Sequence, residues 1–198
     1  MSDPIRIGFI GTGGNARGHI AQVAKIEGTE IVALNDPSEA ALEAALERLG
    51  EEVPTFSDYV DMLDSVEMDG VVISTPHTLH YEQVMAALDR GIHVEIEKPM
   101  ACTSAHAREI MQKQEETGLV VLIGYQRHYD QRFRWVRQKI AEGLIGRVTL
   151  THVFQGQNWL RSQQGAWRLV PELSGGGQLN DSGSHVVDIL LWITDLEA

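Results

Sequence analysis

Short apolar runs alternate with amphipathic stretches through the first 123 residues of the chain. Residues 5–10, IRIGFI, are apolar apart from Arg6 and predict a buried strand. Further strands are predicted over 29–34, over 53–56, over 70–74 (GVVIS, with no polar interruption until its last residue), over 93–96 and over 120–123. Between them fall helical patterns. The first is expected over 15–25. Ser38 can cap the next, whose Leu42, Leu46 and Leu49 share a face and which Gly50 stops. A brief helix is expected over 59–63. Another spans 80–90, with Val84, Ala87 and Leu88 inward and Gly91 as terminator, and Ser104 opens one that closes near Gly118. Strands alternating with helices predict an α/β fold, a parallel sheet covered on both faces. The right-handed crossover rule winds these six strands into a doubly wound sheet. Its ligand belongs beyond the carboxyl ends of the strands, where Gly11, Asp36, Thr75 and Lys98 fall.

The pattern changes after Tyr125. A polar helix is expected over 131–142, broken by Gly143 and Gly146, and residues 148–154 alternate well enough to predict a strand. A loop rich in Trp, Gln and Arg covers 155–168, Ser174-Gly175-Gly176-Gly177 follows, and a last helix is expected over 182–193. One strand cannot make a stable sheet. The chain therefore divides into a complete domain over 1–124 and an unfinished one over 125–198.

Composition narrows the picture. With 43% hydrophobic residues in 198, the chain can bury a real core, and its formal net charge of −12 argues against a nucleic-acid partner. No apolar run is long enough to span a bilayer, and the first strand begins too close to Met1 for a signal peptide. The single cysteine, Cys102, excludes an internal disulfide and reads as a small buried residue without a base beside it. A soluble, cytoplasmic protein is the plain expectation. Internal repeats and low-complexity segments are absent.

The turn after the first strand is Gly11-Thr12-Gly13-Gly14-Asn15-Ala16, a G-x-G-x-x-A motif. Gly11 allows the tight turn, Gly13 lets backbone approach a pyrophosphate, and Ala16 lets helix and strand pack closely. The helix that follows aims its N–H groups and positive dipole end at that anion. Asp36 ends the second strand about twenty residues on, where an acid can bind an adenosine ribose hydroxyl. A structural glycine turn is the simpler alternative, but strand, motif, helix, strand and acid in this order favour a dinucleotide.

Other residues could carry chemistry. Lys98 stands at a strand's carboxyl end in Glu97-Lys98-Pro99, with its backbone limited by the proline, and could polarise a substrate hydroxyl; an exposed lysine paired with Glu97 is the plainer alternative. Asp181, His185 and Asp188, at i, i+4 and i+7 of the last helix, would line one face. A histidine suits proton transfer from an alcohol because its unperturbed pKa is near 6.5. A metal site or a solvated helix face are the alternatives for this trio, and with no fourth ligand evident no metal is expected. His77 and His80 follow Thr75-Pro76 and could simply cap or pack a helix start. Trp159, Arg161, Trp167 and Arg168 form an aromatic and basic cluster, suited to a sugar, a nicotinamide or a phosphate, or to loop packing alone.

With these residues assembled, the chain resembles the glucose–fructose oxidoreductase / inositol dehydrogenase / rhizopine-catabolism (Gfo/Idh/MocA) family. The resemblance runs through GFIGTGGNA with Asp36, through Ser74-Thr75-Pro76-His77-Thr78-Leu79-His80, and through GIHVEIEKPMACT from Gly91 to Thr103. It continues in Gln126-Arg127, Gly143-Leu144-Ile145-Gly146, Trp167-Arg168 and GGGQLNDSGSHVVD from Gly175 to Asp188. It implies an N-terminal Rossmann domain followed by an α/β substrate domain of the dihydrodipicolinate-reductase type, built on an open, largely antiparallel sheet and here incomplete. It implies that Lys98, Asp181 and His185 surround the reacting carbinol carbon: His185 takes the hydroxyl proton as hydride passes to the nicotinamide, Lys98 polarises the oxygen and Asp181 orients the group. It further implies a cis Lys98–Pro99 bond. The cofactor contacts would come from Gly11, Thr12, Gly13, Gly14, Asn15, Ala16, Asp36, Thr75, Pro76, His77, His80, Glu97, Lys98, Gln126, Trp167 and Arg168. Asp36 favours NAD, since a carboxylate repels the extra phosphate of NADP; nearby Ser38 keeps NADP open. His77 departs from the family, which often has Asn there.

The implied function is an NAD(P)-dependent oxidoreductase acting on a secondary hydroxyl of a sugar, cyclitol or related polyol, homo-oligomeric in its full-length form. The chain ends soon after the D-x-G-x-H helix, where the family continues, so a truncated and inactive fragment is one expectation. A non-catalytic dinucleotide-binding or regulatory protein is a second reading, and an NAD-dependent glycoside hydrolase a third. The sequence does not identify the polyol.

Overall fold

Six parallel strands form one sheet in the computed structural model, which describes residues 3–196. They are β1 (Ile5–Ile10), β2 (Thr29–Asn35), β3 (Thr55–Phe56), β4 (Gly70–Ile73), β5 (His93–Ile96) and β6 (Val121–Ile123), in the order β3-β2-β1-β4-β5-β6. The winding direction reverses between β1 and β4, and there the connecting loops part at the strands' carboxyl ends. Helices α1 (Gly14–Val23), α2 (Glu39–Leu49), α3 (Tyr59–Ser65), α4 (His80–Asp89) and α5 (Ser104–Thr117) make the crossovers.

Each face of the sheet has its own core. Phe9, Ile31, Leu34 and Val72 pack with Ile20 of α1 and Ala45 of α2 on one side. On the other, Ile10, Ile73, Val94 and Ile96 meet Met62, Val84, Leu88 and Ile110. Strand alternation is what sends neighbouring residues such as Phe9 and Ile10 to opposite cores. The helix stops are those that chain chemistry dictates. Ser38 Oγ accepts from Ala41 N at 3.3 Å to start α2, and Gly50 ends it at φ 84°. Ser104 opens α5 as expected, Thr103 before it caps the helix by accepting from His106 N, and Gly118 closes it.

The chain divides into two compact units, Met1–Ile123 and Gly124–Ala198. The second contains α6 (Gln131–Ala141), the single turns α7 (Trp159–Ser162) and α8 (Pro171–Ser174), a π turn (Leu179–Gly183), and α9 (Ser184–Thr194), against which α6 packs. The strand expected over 148–154 is not formed. Alternation gives a segment two faces, but a strand also needs a neighbour for its N–H and C=O groups. Among the described residues no strand pairs with this segment, and Leu150 and Phe154 stand 87% and 89% exposed. No described helix is long and apolar enough to cross a membrane.

Candidate functional site

The nucleotide end of the first unit is built from backbone constraints. Gly11 lies at φ +83°, and a Cβ there would sit 2.8 Å from Ser74 O and from Thr75 Cγ2, so the β1 and β4 ends approach too closely for any side chain. Gly13 differs. It caps α1 in extended backbone without a side-chain bond, and a Cβ at that position meets nothing within 4 Å. The first-turn N–H groups of α1 therefore face a clear approach. Thr12 is buried, and its N and Oγ1 donate to Asp36 Oδ2 at 2.8 and 3.3 Å, while Ser38 N donates to Oδ1 at 2.9 Å. The Asp36 carboxylate is thus fixed at the tip of β2. A bare helix start, an open Gly13 and an immobilised acceptor suit a dinucleotide's pyrophosphate and ribose.

The β4 and β5 ends carry the polar side chains. Thr75 Oγ1 donates to Gln83 Oε1 at 2.5 Å. His80 is fully buried, with Nδ1 2.8 Å from Pro99 O and Nε2 3.0 Å from Thr75 O, so the imidazole ties the two loops together. Burial outweighs the pull of the two carbonyls and lowers its pKa; the neutral ring carries one N–H, so it donates to one of the two carbonyl oxygens at a time. His77 is 3% exposed, and its ring stands edge-on to His80 at 5.7 Å. The Lys98–Pro99 peptide is cis, as the resemblance implies. Lys98 itself is only 9% exposed. Glu97 turns toward α1: its Oε1 accepts from Asn15 Nδ2 at 2.6 Å and lies 3.0 Å from His19 Nε2, and its Oε2 accepts from Lys98 N at 3.3 Å. Burial alone would raise the Glu97 pKa, but the bonds from His19 and Asn15 hold it below the usual range.

In the second unit, Asp181 lies in the π turn and not in α9. Trp159 Nε1 donates to its Oδ2 at 3.0 Å, and Arg168 Nε lies 3.3 Å from the same oxygen. Arg168 also lies over the Trp167 ring at 4.4 Å. His185, in the first turn of α9, stands edge-on to Tyr125 at 5.8 Å, and its carbonyl accepts from Arg127 Nη1 at 3.4 Å. Asp188 pairs with His128 at 2.9 Å, and the His128 ring stacks on Trp192 at 4.6 Å. Gln126 opens a 3-10 turn, Gln126–Tyr129. The row of Asp181, His185 and Asp188 assumed an unbroken α-helix. The π turn alters the spacing at its start, and the two carboxylates take different partners. Among the described residues no group of three or more His, Cys, Asp or Glu could hold a metal ion.

Of the residues singled out in the sequence, Gly11–Ala16, Asp36, Thr75, Pro76, His77, His80, Glu97 and Lys98 belong to the first unit. Gln126, Trp167, Arg168, Asp181 and His185 belong to the second. The structure adds His19 and Glu95 beside Glu97, and Trp159 as a partner of Asp181. Spacing shows that Asn15 and His19 share a helix face and that Glu95 and Glu97 share a side of the chain, but nothing in the sequence brings that helix face to Glu97.

A sheet of this strand order, with a glycine turn after β1 and an acid fixed at the end of β2, defines a dinucleotide-binding domain. Residues 5–125 match the model of the oxidoreductase family with an NAD-binding Rossmann fold, and residues 133–198 match that of the GFO/IDH/MocA C-terminal domain. The chain belongs to the Gfo/Idh/MocA oxidoreductase family. It is 30% identical to the rhizopine catabolism protein MocA of Rhizobium meliloti over 97% of its own length and 58% of that protein. It superposes on scyllo-inositol dehydrogenase from Lactobacillus casei, solved with NAD(H) and scyllo-inositol, with a TM-score of 0.83 at 27% identity, covering 98% of this chain and 57% of that one. The WlbA dehydrogenase of Bordetella pertussis, solved with NADH and UDP-GlcNAcA, gives a TM-score of 0.86 at 29% identity, covering 98% and 58%. The chain spans about half the length of the relatives it matches.

Proposed function

We propose that this chain carries the nucleotide-binding and acid–base parts of an NAD(P)-dependent oxidoreductase that acts on a secondary hydroxyl of a sugar, cyclitol or related polyol. The observation that carries this reading is Lys98: an ammonium only 9% exposed, at the carboxyl edge of the same sheet that presents the bare α1 start and Asp36. The names of the solved relatives, which hold NAD(H) with an inositol or a nucleotide sugar, support the substrate class. Residues 1–124 would bind the cofactor, with the Gly13–Ala16 N–H groups on the pyrophosphate and Asp36 on the adenosine ribose, an arrangement that favours NAD over NADP. Residues 125–198 would contribute to substrate binding. When bound, the nicotinamide supplies the hydride acceptor.

Lys98 would hydrogen-bond the substrate oxygen and stabilise its alkoxide character. His185 would accept the hydroxyl proton at an imidazole nitrogen, a role worth roughly 10²–10⁴ in rate. Asp181, its carboxylate held by Trp159 and Arg168, would orient the substrate. The single cysteine suits a cytoplasmic setting, and exposed apolar side chains such as Leu150, Phe154 and Leu160 suit a homo-oligomer of the full-length form. Lys98→Met tests the assignment. NADH binding followed by fluorescence should persist within a few-fold, while nicotinamide reduction with a polyol panel should fall at least 100-fold from whatever rate the unsubstituted chain supports. Turnover equal to that of the parent would reject it.

A further inference from the structure

Glu95 has no part in the chemistry above, yet it is the most unusual acid of the first unit. It lies in the middle of β5, in register between Val72 of β4 and Leu122 of β6, with apolar side chains on either side. Its Oε2 is buried and accepts no hydrogen bond. Strand alternation sends Val94 and Ile96 to one core and Glu95 to the opposite face, where Glu97 also turns. Across that face stands His19 of α1, 3.0 Å from Glu97 and with a side chain 36% exposed to water.

The charges on this cluster can be assigned. The bond to Glu97 raises the His19 pKa, and the bonds from His19 and Asn15 hold that of Glu97 low against its burial, so each partner favours the charged form of the other. Glu95 is pushed up to about 7 by burial, with Glu97 adding to the effect and His19 opposing it. His19 and Glu97 are the charges that act on Glu95, and Glu95 and Glu97 those that act on His19. β4 and β6 carry no charged residue, Arg17 of α1 is engaged on Thr12 O at 3.2 Å, and Glu39, Glu43, Glu47 and Arg48 of the neighbouring α2 act on neither His19 nor Glu95.

We propose that Glu95, His19 and Glu97 act as one electrostatically coupled clasp that positions the Lys98–Pro99 turn against the nucleotide-binding end of α1. Glu97 is the hinge of the device. One oxygen is bound by two side chains of α1, the other by the backbone N–H of Lys98. With Glu95 protonated, Glu97 is the one carboxylate that faces His19. When Glu95 ionises, a second buried negative charge appears beside Glu97, close to the helix end that receives an anion. Affinity for a dinucleotide then falls as pH rises through neutrality. The consequence for affinity rests on the dinucleotide reading above; the clasp itself does not.

The test uses the full chain. In NMR titrations from pH 5.5 to 8.5, the Lys98 amide and the His19 ring should report a shared inflection near pH 7, and Glu95→Gln should abolish it at Lys98. A Lys98 amide that does not titrate, or that titrates unchanged in Glu95→Gln, overturns the clasp. NADH titration across the same range should show a 3–10-fold loss of affinity with rising pH, flattened in Glu95→Gln. His19→Leu should bind NADH at least 5-fold more weakly at pH 7. His19→Gln, which keeps a donor for Glu97 but cannot titrate, should recover most of that loss, whereas equal binding by both overturns the positioning role of His19. If the unsubstituted chain binds no NADH at any pH, the dinucleotide reading fails alone and the Lys98 titration still decides the clasp.

Discussion

Glu95 shows how one side chain can set the pH dependence of stability. An acid whose pKa rises from 4.5 to about 7 on folding favours the folded state only while protonated. Its contribution is therefore complete below about 4.5 and declines as pH rises through 7. Glu97 has the opposite sign: its lowered pKa adds stability that is present above the unfolded carboxylate value and lost on acidification. The raised His19 pKa adds stability that is lost as pH climbs past it. Glu95→Gln should thus stabilise the chain by on the order of 1–3 kcal/mol at pH 8 and change little at pH 4, as read by urea unfolding at the two pH values. The individual residues at this end of the sheet were legible because their chemistry is local: a glycine turn, an acid closing a strand, a lysine before a proline. The partners of Glu97 were not, because His19 lies 78 residues away in the chain and only the winding of the sheet brings the two together.

At the level of elements, caps and stops did most of the specifying. Asp58 accepts from Val60 N at 2.7 Å and from Asp61 N at 3.3 Å to start α3. Asp58→Ala should cost about 1 kcal/mol, visible as a lower urea midpoint with an unchanged slope. Where boundary chemistry was strong, at Ser38, Gly50 and Gly118, element ends were legible to within a residue or so. Residues 148–154 show the limit of such reading. Their alternation specifies which side chains share a face, yet nothing in it encodes a neighbour to complete the hydrogen bonds. Amide exchange should separate the two cases: residues 148–154 should exchange within seconds at neutral pH, while β1 and β4, paired on both edges, should be protected for hours. The π turn before α9 was equally hidden, since a helical period read across 181–188 contains no mark of an added residue.

For the molecule as a whole, apolar burial is unequally shared. Both hydrophobic clusters lie entirely within the first 123 residues. In the second unit Ile189 is the one fully buried apolar side chain among the described residues, while Leu150, Phe154, Leu160 and Leu179 are all more than two-thirds exposed. Stability follows the apolar area removed from water. Residues 1–123 expressed alone should therefore unfold cooperatively in urea, and the full chain should lose the structure of its second unit at a lower concentration. A single coincident transition by fluorescence of the four tryptophans, all of them in the second unit, and by far-ultraviolet dichroism would contradict this. The contrast between two glycines then gives a way to separate architecture from occupancy. A library randomised at positions 11 and 13 and sorted only for expression should retain glycine at 11, where carbonyl and methyl neighbours exclude any substituent, and accept many residues at 13. Sorted for retention on an immobilised nucleotide, the same library should narrow at 13 as well, and the residues lost between the two sorts would outline the shape of whatever the loop embraces.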